Sequence, residues 1–299
     1  MAANGLKIGV IGLGVGATGH IPTAIIEGFE VVAISARNEA KLAEVGDQYG
    51  IAGRYTDYKA LLAHPGLDAV AITTQPPLHH EMVMAALAAG KHVMLEKPFA
   101  MSSQEALAMR DAAKASGKTA MFAEAFRFSP ARAYVKSLVD QGYLGELKGI
   151  SITFFTGPRE KPPEGPPRQH WRMGMASGGG FSTGPASTFF DSVLDWFGPV
   201  KAINGRTFQA HPGAKQPDGQ PADADESAVA TFEMANGAWG AFSASMITPF
   251  GPGGKITLLG SEGSIEITQP FLIGTNADKA MSKTPRLAGN IGHPCRKVA

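Results

Sequence analysis

The first 124 residues alternate short apolar runs with segments of helical spacing. Apolar runs such as "KIGVI" (residues 7–11) and "LDAVAITT" (67–74) are each followed by a stretch of helical pattern, and several of these stretches end at a glycine, for example Gly50 and Gly90. Buried apolar strands separated by helices are typical of a parallel sheet with right-handed crossovers. Residues 1–124 are therefore predicted to form an α/β domain.

A glycine-rich loop, "GLGVGA", follows the first predicted strand and opens a helix. In that context a Gly-x-Gly-x-x-Gly/Ala pattern predicts a dinucleotide site: Gly12 permits the tight turn, Gly14 the approach of the pyrophosphate, and Ala17 close packing of helix on sheet. The N–H groups at the helix start, which include those of Val15 and Gly16, would bind the phosphates. The alternative is a glycine-rich turn in a protein that binds no nucleotide.

The end of the second predicted strand bears on which dinucleotide binds. NAD-selective sites place an acid there to hold the ribose 2′-hydroxyl, but this chain reads Ser35-Ala36-Arg37-Asn38. Arg37 could pair with a 2′-phosphate, and Ser35 or Asn38 could hydrogen-bond to it. We therefore predict NADP, with NAD as the other possible cofactor. The alternative for Arg37 is an ordinary solvated arginine.

The pattern changes after about residue 124. Longer, more alternating strands such as "LKGISITFF" and "SAVATFEM" follow, and "MANGA" and "GSEGS" fall where hairpin turns belong. Residues 125–299 are predicted to form a second, α+β domain rich in antiparallel strands.

Composition excludes several classes of function. The net charge is only +1 and there is no basic stripe, so a nucleic-acid partner is not expected. The single cysteine, Cys295, excludes an internal disulfide and a multi-cysteine zinc site, and the adjacent His79 and His80 point apart, so no metal site is predicted. The N-terminus lacks the features of a signal peptide and no apolar run would span a bilayer, which predicts a cytoplasmic protein without a membrane partner.

Glu96-Lys97-Pro98 follows the fourth predicted strand, at the carboxyl edge where such sheets bind ligands. Taken alone, Lys97 would be read as a surface lysine. However, the order of "GLGVGATGH", "TTQPPLHHEMVMAALAAGKHVMLEKPFA", "FRFSPA", "GYLGELKGI" and "GGGF…D" closely resembles the Gfo/Idh/MocA oxidoreductases, the glucose–fructose oxidoreductase and inositol dehydrogenase family. The resemblance extends over residues 7–270.

This resemblance implies a Rossmann domain followed by a domain with a large open, mainly antiparallel sheet, through which such proteins commonly form dimers or tetramers. It implies reversible hydride transfer between a nicotinamide and a carbinol carbon of a sugar, polyol or similar small substrate. By matching position, Lys97 would be the catalytic lysine, Glu96 would hold the nicotinamide-side ribose, and the Lys97–Pro98 bond is a candidate for the cis form. The remaining positions that match cofactor- or substrate-facing elements are Thr74, Pro76 and His79 on the adenosine side, and Trp171 and Arg172 in "HWR".

The chain departs from the family pattern beyond its glycine run. In register from Gly179, Gly184 stands where the family has an aspartate and Thr188 where it has a histidine, while Asp191 matches. Since oxidation of an alcohol needs a group to take the hydroxyl proton, we predict a catalytic set of Lys97, Thr188 and Asp191. The alternative for Asp191 is that it only orders its helix.

Three functions are therefore weighed. The first is an NADP-dependent oxidoreductase, and the second is a catalytically impaired NADP-binding regulator or partner subunit. The third, ranked last, is a lyase or glycoside hydrolase that uses the cofactor transiently. The polar segment at 272–299 stands where the family has further strand and a closing helix, so a shortened C-terminus is expected.

Overall fold

The computed structural model describes residues 5–157, 170–210, 212–216, 218–248, 250–268 and 271–276. The described chain forms two compact units. The first contains the residues up to Glu124 together with Trp171–Gly179, and the second contains the other residues from Ala125 onward. The segment Trp171–Gly179, which the sequence pattern assigns to the second domain, thus belongs to the first unit. The first residues of the polar segment 272–299 lie in the strand Phe271–Asn276, and the rest of that segment, with Cys295, lies outside the described residues, so the predicted shortening stays a prediction.

The first unit is built on a parallel sheet. Its strand order is β3-β2-β1-β4-β5-β6, so that the chain reverses its direction of winding between β1 and β4. In sheets of this order, ligands bind at that point, outside the carboxyl ends of the strands. The strands are β1 (Lys7–Ile11), β2 (Glu30–Ser35), β3 (Gly53–Tyr55), β4 (Ala69–Ile72), β5 (His92–Leu95) and β6 (Ala120–Phe122).

Helices cover both faces of this sheet. Ile21, Leu42 and Val45 are buried against one face, and residues of the later helices, such as Val83 and Met109, are buried against the other. The helices are α1 (Ile21–Ile26), which continues a π-helical turn at Gly16–His20, α2 (Glu39–Tyr49), α3 (Tyr58–Leu62), α4 (His79–Ala88) and α5 (Ser103–Ser116). The sequence pattern missed β3 and α3, because elements of three and five residues are too short to show a period.

The second unit is built on a sheet of order β13-β12-β11-β7-β10-β9-β8. Its β7 and β10 run parallel, and the other neighbouring strands in the described part of this sheet are antiparallel. The predicted turns "MANGA" and "GSEGS" join β9 to β10 and β11 to β12. The strands are β7 (Leu147–Phe155), β8 (Val200–Phe208), β9 (Ser227–Met234), β10 (Trp239–Ser245), β11 (Gly253–Gly260), β12 (Gly263–Thr268) and β13 (Phe271–Asn276).

Two further helices, α6 (Pro130–Asp140) and α7 (Pro185–Phe197), belong to this unit. Side chains of α7 such as Phe189 and Val193 join Ile152 and Phe242 of the sheet in one buried cluster. The predicted fold class, a Rossmann unit followed by a mainly antiparallel α+β unit, is confirmed. Among the described residues, no helix is both long and apolar enough to cross a bilayer.

Candidate functional site

The glycine loop leaves β1 at its carboxyl end and is folded against the residue that follows β4. Gly12 has a φ of +97°, and a Cβ atom there would lie 2.9 Å from the carbonyl carbon and oxygen of Thr73. The Thr73 hydroxyl donates a hydrogen bond of 2.8 Å to the Gly12 carbonyl, and a Cβ at Gly16 would lie 2.6 Å from the same hydroxyl oxygen. Glycine at both positions therefore lets the loop pack closely against Thr73 without strain.

Gly14 differs from these two glycines. It is exposed, and a Cβ atom there would meet no atom within 4 Å. The structure thus has no packing reason for glycine at position 14, whereas a ligand that approaches the backbone closely would supply one. The loop, which also contains the exposed Val15 and the buried Ala17, fits a dinucleotide pyrophosphate.

The three residues at the end of β2 that were predicted to contact a 2′-phosphate differ in how accessible their side chains are to a ligand. Ser35 is only 3% exposed and its carbonyl accepts a hydrogen bond from the Gly12 N–H. Asn38 caps α2, because its Oδ1 accepts a hydrogen bond of 2.9 Å from the Lys41 N–H. Arg37 is exposed to solvent. Of the three residues predicted to contact a 2′-phosphate, Ser35 is thus buried and Asn38 is engaged as a helix cap, whereas Arg37 is exposed.

The loop after β4 packs around a buried histidine, His79. Thr74 is half-buried and Pro76 is buried, as the first residue of a 3₁₀ turn. His79 has no exposed surface, and its Nδ1 lies 2.9 Å from the carbonyl of Pro98 while its Nε2 lies 3.1 Å from that of Thr74. Both ring nitrogens face the protein's own backbone, so the ring does not reach a ligand as a hydrogen-bonding group.

Glu96 and Lys97 follow β5 at the carboxyl edge of the same sheet. Glu96 Oε1 lies 2.7 Å from Nε2 of His20, and Glu96 Oε2 accepts a hydrogen bond of 3.0 Å from the Lys97 N–H. Burial by itself raises the pKa of the Glu96 carboxyl, but these two hydrogen bonds and the nearby positive charges outweigh it, so the pKa lies below its usual value. The Lys97–Pro98 bond is cis, as the resemblance suggested, and Lys97 is half-buried.

Part of the second predicted domain also contributes to this unit. Arg172 lies over the ring of Trp171, 5.2 Å from its centre, and its charge interacts with that of Glu96. A Cβ at Gly178 would lie 2.7 Å from ring carbons of Pro76, and a Cβ at Gly179 would lie 2.2 Å from the Arg172 carbonyl oxygen. The first two glycines of "GGGF" therefore serve close packing within the first unit.

In the second unit, the end of this glycine run is tied to Asp225. The Ser182 N–H and hydroxyl donate hydrogen bonds of 2.9 and 2.8 Å to the two Asp225 oxygens. Gly184 then precedes α7, and Thr188 lies within that helix at 5% exposure, with its carbonyl accepting a hydrogen bond from Arg132 Nη1. The sequence pattern did not single out Asp225 or Arg132, because each is distant in the chain from the residues it holds.

Asp191 has an ion-pair partner that the pattern missed. Arg127 Nη2 lies 2.5 Å from Asp191 Oδ1, Arg127 Nε lies 3.2 Å from Oδ2, and Nη1 lies 3.3 Å from Asp195 Oδ1. One edge of the Arg127 guanidinium therefore binds both oxygens of Asp191, while its remaining nitrogen reaches Asp195. Lys97 belongs to the first unit and Thr188 and Asp191 to the second, and the predicted catalytic set stays a prediction.

Comparison with known proteins identifies the family. A model of the oxidoreductase family with NAD-binding Rossmann fold matches residues 6–124, and a model of the GFO/IDH/MocA C-terminal domain matches residues 133–266. The chain belongs to the Gfo/Idh/MocA oxidoreductase family. The family resemblance predicted from the motifs is thereby confirmed.

Relatives of this Gfo/Idh/MocA protein match different lengths of its chain. An uncharacterised oxidoreductase of Synechocystis sp. is 32% identical over 267 residues, which cover 87% of this chain and 71% of the relative. D-xylose 1-dehydrogenase (NADP(+)) 2 of Haloferax volcanii is 36% identical over 150 residues, which cover 50% of this chain and only 46% of that enzyme. A solved structure of levoglucosan dehydrogenase in complex with NADH matches with a TM-score of 0.82 and 26% identity, covering 94% of this chain and 80% of that one.

Within the described ranges, no three His, Cys, Asp or Glu side chains are grouped so as to hold a metal ion.

Proposed function

We propose that this protein transfers a hydride between a nicotinamide dinucleotide and a carbinol or carbonyl carbon of a sugar, polyol or similar small substrate, with NADP as the preferred cofactor. The observation that carries the proposal is the open space at Gly14, on the same sheet edge as the Glu96–Lys97 pair. The sheet order supports the proposal, because such folds bind dinucleotides outside the carboxyl ends of their strands, and the loop and the pair follow β1 and β5 at that edge.

Lys97 is the proposed proton-transfer group. In the direction of reduction its ammonium gives a proton to the carbonyl oxygen as the carbon gains hydride, and in the direction of oxidation the amine takes the hydroxyl proton. The nicotinamide, when bound, supplies the hydride chemistry. Glu96 is the proposed acceptor for a ribose hydroxyl, since each carboxylate oxygen has a further lone pair beyond its bond to His20 or to the Lys97 N–H.

The substrate class is proposed from the relatives. Both D-xylose 1-dehydrogenase and levoglucosan dehydrogenase are named for sugar substrates; this chain matches the first over half of its length and the structure of the second over 94% of its length. A panel of pentoses, hexoses, anhydro sugars and inositols, assayed with both cofactors by near-ultraviolet absorbance, tests this proposal. Turnover of none of them by the wild-type protein would contradict it.

The role of Lys97 is tested by Lys97→Ala, with Lys114→Ala as the control. Lys114 is an exposed lysine of the same unit, on α5. Lys97→Ala is expected to lower kcat by about 10²- to 10⁴-fold, the usual effect of losing a general acid or base, while the dissociation constant for the cofactor changes little. Activity that survives in Lys97→Ala would refute the assignment.

The preference for NADP is supported by the exposed Arg37 and by the absence of an acid among residues 35–38. Arg37→Ala is expected to weaken NADPH binding by about tenfold or more, because a charge-assisted pair of about 1.5–3 kcal/mol is lost, and to leave NADH binding nearly unchanged. Fluorescence titration of both cofactors measures this. Tighter binding of NADH than of NADPH by the wild-type protein would overturn the preference.

A second candidate is a regulator or partner subunit that binds NADP without turnover. It is favoured by Gly184 at the family's aspartate position and by the Arg127 guanidinium that holds Asp191. Tight NADPH binding with no turnover on the whole panel would select this candidate over the dehydrogenase.

We also propose a homo-oligomer that forms through the second sheet. Val229 and Trp239 are 43% and 52% exposed on the face opposite the buried Phe232 and Phe242. Exposed apolar side chains on an open sheet support such an interface. Sedimentation velocity tests this, and a wild-type monomer at micromolar concentration would contradict it.

A further inference from the structure

We propose that His79 is a positioning residue, which holds the segment carrying Lys97 through a hydrogen bond from its Nδ1–H to the Pro98 carbonyl. We call residues 96–99 the lysine segment. The structural part of the inference concerns the contacts of His79 alone, whereas its importance for turnover rests on the proposed function.

His79 lies at the start of α4, between two loops at the carboxyl edge of the sheet. Its two ring nitrogens face carbonyls that follow β4 and β5, those of Thr74 and Pro98. These two strands are neighbours, with Ile72 paired to Leu95 at their ends. A single buried ring therefore lies between the ends of two adjacent strands, with one ring nitrogen within hydrogen-bond distance of a carbonyl from each.

The protonation state of the His79 ring decides which of the two hydrogen bonds forms. A neutral imidazole has one N–H and one lone pair, so it donates to only one of the two carbonyls. Burial lowers the pKa of His79, although the carbonyls of Thr74, Pro98 and Phe99 and the charge of Glu96 act in the opposite direction. The ring is therefore neutral at neutral pH. The proposal places the proton on Nδ1, which has the shorter distance, 2.9 Å to Pro98 against 3.1 Å from Nε2 to Thr74.

The backbone around Lys97 is then anchored on both sides. On one side the Lys97 N–H donates to Glu96 Oε2, and Glu96 is itself held by His20. On the other side the Pro98 carbonyl accepts from His79. A proton-transfer group must be held close to its productive geometry, so loosening either anchor is expected to affect turnover more than ligand binding.

Two substitutions of His79 distinguish the roles of its two ring nitrogens. Asparagine places its amide N–H₂ near the position of Nδ1, whereas glutamine places it near that of Nε2. His79→Asn can keep the bond to Pro98, and His79→Gln can keep only a bond to Thr74. His80→Gln, at the half-buried neighbour on the same helix, is the matched control.

Amide hydrogen exchange of the full chain without cofactor is the primary test, because it does not depend on any activity. We expect His79→Gln to raise exchange in the lysine segment by about tenfold, the equivalent of losing one hydrogen bond of about 1.4 kcal/mol, and His79→Asn to raise it by less than about threefold. His80→Gln should match the wild type. Equal exchange in the Asn and Gln variants would overturn the proposal.

Two further measurements complete the test. If either variant fails to fold, nitrogen-15 NMR of the wild-type protein reads the tautomer of His79 directly, and an Nε2–H tautomer would refute the proposal. Where turnover is found, His79→Gln should lower kcat by about tenfold with KM and cofactor affinity nearly unchanged, and His79→Asn should restore kcat. Absence of turnover in the wild type would defeat the proposed function but would leave the exchange result standing.

Discussion

Two glycines of the same loop are expected to respond to alanine in opposite ways. At Gly12 the backbone has a φ of +97°, and a Cβ would lie 2.9 Å from backbone atoms of Thr73. The left-handed backbone costs about 1–2 kcal/mol for a residue other than glycine, and overpacking adds about 1–3 kcal/mol. Gly12→Ala should therefore destabilise the free protein by about 2–5 kcal/mol, which lowers Tm by about 5–15 °C.

At Gly14 the free protein presents no obstacle, because no atom lies within 4 Å of the added Cβ and φ is outside the left-handed region. Its stability should change by less than about 0.5 kcal/mol. With dinucleotide bound, however, the same methyl group would occupy the space in which the pyrophosphate approaches the backbone. An overpacking cost of about 1–3 kcal/mol, present only in the complex, corresponds to about 5- to 150-fold weaker binding.

The assay combines calorimetric unfolding of the free variants with fluorescence titration of NADPH and NADH. Gly12→Ala should lose mainly stability, and Gly14→Ala should lose only affinity. If Gly14→Ala binds either cofactor as tightly as the wild type, the placement of the pyrophosphate at this loop is wrong. If Gly14→Ala is destabilised as much as Gly12→Ala, the space that the structure shows around Gly14 does not exist in solution.

Three further outcomes are expected. Arg127→Ala should lower the free energy of unfolding by about 1 kcal/mol, a small value because the Arg127 side chain is 39% exposed and its ion pair is screened by solvent. In urea unfolding this loss should be smaller at high salt than at low salt. Equal losses at both salt concentrations would exclude the ion pair with Asp191 as the cause. His20→Ala should raise the pKa of Glu96 towards its usual value. A carboxyl group whose pKa is lowered by folding stabilises the fold at pH values above its pKa in the unfolded chain, about 4.3, and this stabilisation is lost as the pH falls. The unfolding free energies of the wild type and His20→Ala should therefore differ at pH 7 and converge in acid. A difference that stays constant with pH would contradict this. Gly178→Ala should lower the unfolding free energy by about 2–5 kcal/mol, because φ is +79° and a Cβ would lie 2.7 Å from a proline ring, and unchanged thermal stability would refute this packing.

Much of the fold was predictable from local patterns. The strands β7 and β9 begin and end at the residues that alternation indicated, and the glycine loop has the strand–loop–helix setting that its spacing predicted. These features depend on residues close together in the chain, where periodicity, caps and glycine backbone preferences act directly. The short β3 and α3 were not predicted, because too few residues define them to show a period.

The sequence motif indicated candidate site residues but not the partners of their side chains. The motif indicated Glu96, Lys97 and His79 as site residues, yet it did not reveal that His20, 76 residues away from Glu96 in the chain, lies 2.7 Å from it. Nor did it reveal that both nitrogens of His79 face backbone carbonyls, or that Arg127 holds Asp191.

The sequence by itself therefore determined the class of each main element, the Rossmann and antiparallel character of the two regions, and the family. Only the tertiary structure decided which polar groups meet at the sheet edge and that Trp171–Gly179 belongs to the first unit. The physical reason is that periodicity reports the environment of one element at a time. Pairings such as His20 with Glu96 arise only when strand order brings separate loops to one edge.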